Sequence, residues 1–477
     1  MKLAIPKERR PDEARVAASP ETVKKFVGLG VEVIVEKDAG SACGLTDAAF
    51  EKAGAKIAKD AETAVKDADV VLKVQRPLAA DEDGPDEITM LKQGTVLLAQ
   101  LSPYDVPGHI KAYAQHKIDA FAMELMPRIT RAQAMDVLSS QANLAGYRAV
   151  IDAAYHFRRG FPLMMTAAGT VAASQVMVMG AGVAGLQAIA TARRLGAVVS
   201  ATDVRPAAKE QVESVGGKFL AVEDEEFKAA EDAGGYAKEM SDAYKEKQAK
   251  LIADTMPKMD VVICTANIPG RPAPKLLTED HVKSMKPGSV VVDLAAERGG
   301  NCVLTQPGKI VTKHDVTIIG TTNVPSLVAT DASQLYARNL FNFLSPFIDK
   351  ESGALKLDWE DELVKGTGLT RGGSVVHEQF KEAAEKAELP KAKGGAAKSA
   401  AAKSSASQTG TGKSATAKST SASKSTTTTA KKTGTAAKKT PSTDNKAAGG
   451  DSKNGGSGAA STTTTTPPGG NKGSKEG

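Results

Sequence analysis

Through residues 2 to 124, short apolar runs rich in β-branched residues alternate with stretches of helical period. The runs Lys2 to Pro6, Glu32 to Glu36, Val70 to Val74, Val96 to Leu101 and Ile118 to Glu124 read as strands, which predicts a parallel sheet with helices on both faces. Ser19 ahead of Pro20, and Thr46 ahead of Asp47, mark two helix starts. A helical pattern then runs from about Gln133 to Phe157. Strand-like runs resume at Val176 to Met179, Val198 to Asp203, Lys218 to Val222, Asp260 to Thr265, Ser289 to Ala295 and Val316 to Gly320, predicting a second doubly wound sheet. Helical residues from about Ser326 to Ile348 lack strands of their own and are predicted to return onto the first domain. The expected organisation is 1–137 with 326–380, then 138–325, then a low-complexity tail at 381–477.

Composition changes the picture mainly at that tail. Residues 391–477 hold 15 lysines against three acids, a net +12, so residues 1–390 carry −6 of the chain's +6. With almost no large apolar residue beyond Gly394, the tail cannot offset an ordering entropy of roughly 1 to 2 kcal/mol per residue, and is expected to be a disordered tether. No aromatic residue interleaves its lysines to stack on bases, so nucleic acid is not an expected partner. Cys43, Cys264 and Cys302 show no metal-ligand spacing, and none of the six histidines falls in a motif. A reduced, cytoplasmic setting and no metal site are therefore expected. The apolar stretch Val176 to Ala192 is broken by Gly180, Gly182 and Gly185, which favours strand, turn and helix over a membrane span. Lys2 is followed directly by a strand-like run, without a signal peptide's apolar core.

The candidate chemistry begins at that break. Gly180-Ala181-Gly182-Val183-Ala184-Gly185 follows an apolar strand and opens a helix, the order a dinucleotide fingerprint requires. Gly180 would permit the tight turn, Gly182 the approach of a pyrophosphate and Gly185 close helix–strand packing, with the helix N-terminus facing the phosphates. Asp203 ends the next strand, where a carboxylate accepts hydrogen bonds from ribose hydroxyls and repels a 2′-phosphate. Arg205 nearby could neutralise such a phosphate, but Asp203 holds the deciding position, so NAD(H) is expected. A second dense run lies between the two domains: Arg128, Arg131, Gln133, Asp136, Ser139, Ser140, Gln141, Asn143 and Tyr147. It carries too many hydrogen-bonding side chains for a plain linker helix, although a surface ion pair is an alternative for Arg128 and Asp136.

Over residues 1 to about 380 the sequence resembles the NAD(H)-binding alpha component of the proton-translocating NAD(P) transhydrogenases, relatives of the alanine dehydrogenases. The resemblance rests on Pro6-Lys7-Glu8 with Arg15, the run from Arg128 to Tyr147, the glycine turn with Asp203-Val204-Arg205, and Gly234-Gly235-Tyr236-Ala237-Lys238. It implies two Rossmann-like doubly wound α/β domains with NAD(H) in the cleft between them. It implies a loop over the nicotinamide made of Arg128, Ile129, Thr130, Arg131, Gln133, Ala134, Met135 and Asp136, with Ser139 supporting Asp136. Gly235 and Tyr236 would belong to a mobile loop, and Gln248 and Asn267 would make further contacts. A homodimer is implied, with NADP(H) on a beta subunit, a separate membrane-spanning alpha subunit, and a place on the inner face of the cell membrane through these partners.

Departures from the alanine dehydrogenases separate the two branches. Gln75 stands where those enzymes are expected to carry a lysine, Gln100-Leu101-Ser102 where they carry a histidine, and Glu297 replaces an aspartate. Glutamine exchanges no proton at neutral pH, so general acid/base chemistry is lost although Arg15 persists. Hydride transfer between two nicotinamides needs only positioned rings and excluded water. The rival expectations are an alanine dehydrogenase-like enzyme and a non-catalytic NAD-binding protein.

Overall fold

The computed structural model describes residues 1–228 and 241–391. The first sheet contains β1 (Lys2–Ile5), β2 (Glu32–Glu36), β3 (Lys56–Ala58), β4 (Val70–Gln75), β5 (Val96–Gln100) and β6 (Asp119–Ala122) in the order 3-2-1-4-5-6. All of its pairings are parallel. After a short exposed hairpin, β7 (Met164–Thr166) and β8 (Gly169–Val171), comes the second sheet. Its strands are β9 (Gln175–Met179), β10 (Val198–Thr202), β11 (Lys218–Phe219), β12 (Val261–Cys264), β13 (Val290–Asp293), β14 (Ile310–Lys313) and β15 (Val316–Ile319). Their order is 11-10-9-12-13-15-14, the same winding with one strand added at the edge.

Several expectations need correction. β3 is only three residues long, too short for its apolar pattern to stand out. β14 runs antiparallel to β15 through a tight turn at His314 and Asp315, both in the left-handed region, so the second sheet is not wholly parallel. The strand expected at Lys218 to Val222 stops at Phe219. The helix expected from Gln133 is instead a 3-10 stretch, Thr130–Met135, then a true helix, Val137–His156, because Asp136 adopts extended backbone and caps it. The tail does not begin at 381: Glu378–Lys386 is helical, with Phe380 and Ala384 buried in the first domain's core. The disorder expected beyond it falls at 392–477, outside the described residues.

Two helices join the sheets. Ala329–Leu344 places Tyr336, Leu340 and Phe343 in the same core as Leu3, Ile5, Leu72 and Leu98. Tyr336 also donates its hydroxyl to the carbonyls of Lys73 and Val74 (3.0 and 3.1 Å) at the end of β4. Val137–His156 belongs to both cores: Val137 packs in the first, while Ala149, Val150 and Ala153 pack in the second. Midway, Gly146 lies against the first turn of the Val183–Arg194 helix, where an added Cβ would strike the carbonyl of Ala184 and sit 3.0 Å from its Cα. Gly146→Val is accordingly expected to lower the unfolding free energy by about 1–3 kcal/mol, read as a lower urea midpoint with unchanged m value; an unchanged midpoint would contradict this packing.

Candidate functional site

The glycine turn lies at the carboxyl end of β9, beside the end of β12, at the point where strand order reverses. Gly180 sits at φ +102°, and an added Cβ would lie 2.7 Å from Thr265 Oγ1 and 3.2 Å from the Ala266 nitrogen. Thr265 Oγ1 donates to the Gly180 carbonyl (2.9 Å), closing the turn against β12. A Cβ on Gly185 would collide with that same carbonyl, whereas at Gly182 no atom lies within 4 Å of where one would project. Two glycines therefore serve packing and the third faces open space. Gly182 is the N-cap of Val183–Arg194, and no side chain caps that helix. The first N–H groups, at Val183 and Ala184, and the positive end of the helix dipole are thus presented beside the open position. This is a cradle that an anionic diphosphate fits.

Asp203 follows β10 and is tied back to the turn by accepting from the Ala181 N–H (2.7 Å). It also accepts from the backbone and Nε of Arg205 (both 2.9 Å) and from its Nη2 (3.1 Å). Burial works against its charge, but Arg205 and the two N–H donors win and hold the carboxyl below its usual range. Arg205 is thus turned onto Asp203. Gln248 closes the same corner, donating to Thr202 Oγ1 (3.0 Å) and accepting from the Val222 N–H (3.2 Å). Val204 and Asn267 are exposed at the rim. Gly235 and Tyr236 lie outside the described residues.

The second group stands at the start of the bridging helix. Asp136 caps Val137–His156, accepting from the Ser139 N–H (2.9 Å) and hydroxyl (2.5 Å). Counting about 1.5 Å per residue, this cap lies about 15 Å along the helix from Gly146, and so from the start of the glycine-turn helix. Arg128, Thr130, Gln133 and Ala134 are exposed, Ile129 is half-buried and Met135 is buried. Arg131, in contrast, is engaged by Asp361 through two 2.8 Å bonds.

Sequence reasoning missed the network that ties these segments together. Arg15 is buried and grips the buried carboxylate of Glu13 (2.8 and 2.7 Å), and it also donates to Gln141 Oε1 (2.9 Å) and Asn323 Oδ1 (3.0 Å). Gln75 donates to Glu13 Oε2 (2.6 Å), as do Asn323 Nδ2 (3.1 Å) and, to Oε1, Ser326 (3.0 Å). These side chains come from the loop after β1, the end of β4, the bridging helix and the segment after β15. Burial alone would raise the Glu13 carboxyl, but Arg15 and Gln75 outweigh it and bring it down to about 2. Close by, Glu124 accepts from the Leu101 and Ser102 N–H groups (3.1 and 2.5 Å), and burial pushes its carboxyl up to about 7. Away from the cleft, Asp81, Glu82 and His109 come together, but Glu82 is bound by Arg10 and Arg76, whose charges oppose a cation there.

Twin sheets, a glycine turn opening an uncapped helix and an aspartate at the next strand end define a two-domain nucleotide-binding α/β protein of the Rossmann type. Residues 4–145 match the alanine dehydrogenase/PNT N-terminal domain and residues 149–378 its C-terminal domain. In Rhodospirillum rubrum, the first part of NAD(P) transhydrogenase subunit alpha is 61% identical over 377 residues, covering 79% of this chain and 98% of that protein. Its counterpart in Rickettsia prowazekii is 46% identical over 385 residues, 81% of this chain and 98% of that one. The solved transhydrogenase from Sinorhizobium meliloti is similar with a TM-score of 0.71 and 55% identity, over 79% of this chain and 100% of that one. Alanine dehydrogenase of Bacillus subtilis is 28% identical over 386 residues, 79% of this chain and 93% of that protein. The chain belongs to the alanine dehydrogenase/PNT family, within its transhydrogenase alpha-subunit branch.

The Glu13 carboxyl is held below its ordinary value of 4.5, so its contribution to stability is full above pH 4.5 and fades as pH falls toward 2. Glu13→Gln leaves the Arg15 charge buried without its anion and is expected to cost about 3–5 kcal/mol at pH 7. The gap from wild type should narrow in urea melts taken below pH 4.5. A gap independent of pH would contradict the assignment.

Proposed function

We propose that this chain is the NAD(H)-binding component of a proton-translocating nicotinamide nucleotide transhydrogenase. In this reading it presents a nicotinamide for direct hydride exchange with NADP(H) held on a beta subunit, while separate membrane subunits, a membrane-spanning alpha subunit among them, couple the exchange to proton movement. The observation that carries it is the pairing of a nucleotide cradle with a junction whose arginine is already engaged by the protein's own groups. Arg15, which would bind an oxoacid in a dehydrogenase, donates to Glu13, Gln141 and Asn323. Gln75, which cannot exchange a proton at neutral pH, points its amide at Glu13. Among these junction residues none is a base poised for a small substrate.

The chain's own residues would act by holding and orienting. The open backbone at Gly182 and the free helix N-terminus would take the pyrophosphate, and Asp203, kept anionic by Arg205, would favour an unphosphorylated ribose. Arg128, Gln133 and Asp136, the last braced by Ser139, would fix the carboxamide and its ribose. The bound dinucleotide supplies the hydride chemistry. The task of these residues would be to hold the nicotinamide ring in a near-attack position and keep water out.

Support for a homodimer comes from the exposed hairpin of β7 and β8, where Met165 is 82% exposed beside exposed Leu163 and Met164, with Tyr155 83% exposed on the bridging helix. Such apolar exposure fits a partner copy. Among the described residues no helix is long and apolar enough to cross a membrane. A cytoplasmic place at the membrane's inner face would therefore come through the partner subunits.

Two measurements test the reading. Mixed with the NADP(H)-binding beta subunit, the purified chain should transfer hydride from NADH to an NADP+ analogue, and Asp136→Asn or Gln133→Ala should slow transfer far more than either weakens NADH binding. Turnover of pyruvate and ammonia by the chain alone, or NADH binding with no exchange, would overturn it. Separately, Gly182→Val should weaken NADH binding at least about tenfold, some 1.4 kcal/mol, with little change in melting temperature, because its Cβ meets only open space. Unchanged binding would mean that the cradle does not hold the cofactor.

A further inference from the structure

The segment that would face the nicotinamide is not self-supporting. Thr130–Met135 is six residues of 3-10 helix, longer than that geometry ordinarily sustains. It is held from outside by residues distant in sequence. The Ala134 carbonyl accepts from Asn339 Nδ2 (2.9 Å) and Asn342 Nδ2 (3.0 Å), three residues apart on one face of the Ala329–Leu344 helix. Asn339 Oδ1 also accepts from Ser140 Oγ (2.7 Å), so one buried side chain fixes both the segment and the first turn of the helix that Asp136 caps. Asp361 holds Arg131 in a bidentate pair, and its own position is set because it caps the Glu362–Thr367 helix, accepting from the Leu363 N–H (2.8 Å). In that helix Gly366 lies against Pro127, where a Cβ would stand 3.2 Å from the proline ring.

We infer that Arg131, Asp361, Asn339 and Asn342 form a clamp that positions the nicotinamide-facing segment, and that Arg131 is a positioning residue and not a contact of the nucleotide. The inference rests on the proposed hydride transfer. Arg131 is 53% exposed, so its ion pair adds little to global stability. Its value is local. Both its nitrogens that reach Asp361 are spent there, and the pair fixes the backbone between Arg128 and Gln133 on one side while the two asparagines fix it at Ala134 on the other. An error of about 1 Å in a positioning group costs on the order of 100-fold in rate, whereas the phosphate cradle at Gly182 lies about 15 Å away along the bridging helix.

The test uses the full chain and its NADP(H)-binding partner. Asp361→Asn removes the charge while keeping the helix cap, since asparagine caps as well as aspartate; Asn342→Ala removes one exposed donor. Each is expected to slow single-turnover hydride transfer about 10-fold or more, with the NADH Kd within about twofold and the melting temperature within about 2 °C, roughly 0.5 kcal/mol. Arg131→Asp combined with Asp361→Arg should recover most of the rate that either reversal loses alone. Hydrogen exchange at residues 130–136 should quicken in Asp361→Asn while the glycine-turn helix is unchanged. Wild-type rates in both variants, or a loss of NADH affinity in Arg131→Ala that matches its loss of rate, would overturn the clamp. If the wild-type chain transfers no hydride at all, the functional reading fails, and the exchange measurement still decides whether the clamp exists: unchanged protection at 130–136 would refute it.

Discussion

Among the described residues, the bridging helix Val137–His156 is the one element that places buried side chains in a core of each sheet, and the rest of the arrangement hangs from it. Its N-terminal cap carries Asp136 on the first domain's side, and its middle meets the start of the glycine-turn helix at Gly146. A helix is stiff along its axis, so the separation between the two candidate contact regions is set by residue count, about 15 Å for ten residues. The absence of a Cβ at position 146 is what allows the helices to approach so closely. A bulkier residue there would push apart the segment that would orient a nicotinamide and the turn that would hold its phosphates.

Charge follows the same division of labour. The junction is polar and buried, but its strongest group, the Arg15 guanidinium, is neutralised by Glu13 and satisfied by amides. A buried arginine with its charge uncompensated would attract a small anion; one paired with a buried carboxylate is scaffolding. Asp203 is likewise kept charged by Arg205, at a strand end where a negative charge would discriminate between ribose and phosphoribose.

Much of this is legible in the residues. Alternating apolar runs disclose both doubly wound sheets, and the glycines at 180, 182 and 185 fall into three different environments: a turn with positive φ, open space, and close packing against the Gly180 carbonyl. What the sequence hides is whatever depends on distant partners or on short elements. No local pattern links Arg131 to Asp361, 230 residues away, or Ala134 to Asn339 and Asn342, so from sequence Arg131 groups with the nucleotide contacts. The break at Asp136 is hidden because Ala132, Gln133, Ala134 and Met135 all favour helix, and only the capping bonds to Ser139 show where the true helix starts. Arg15 is visible as part of a motif fragment, yet Glu13, its partner, is not, and the pair's four other partners come from three further segments, which composition cannot assemble. The short strand β3, the antiparallel edge β14 and the hairpin at 164–171 are lost for a simpler reason: three or four residues carry too little periodicity to stand out.

The most direct measurement is a crystal structure of the chain with NADH. The expected result is a pyrophosphate oxygen within hydrogen-bond reach of the backbone at Gly182 to Val183, and the nicotinamide carboxamide bonded to the segment between Arg128 and Asp136, with Arg131 still on Asp361. A dinucleotide bound elsewhere, or one at the glycine turn whose nicotinamide faces away from that segment, would contradict it.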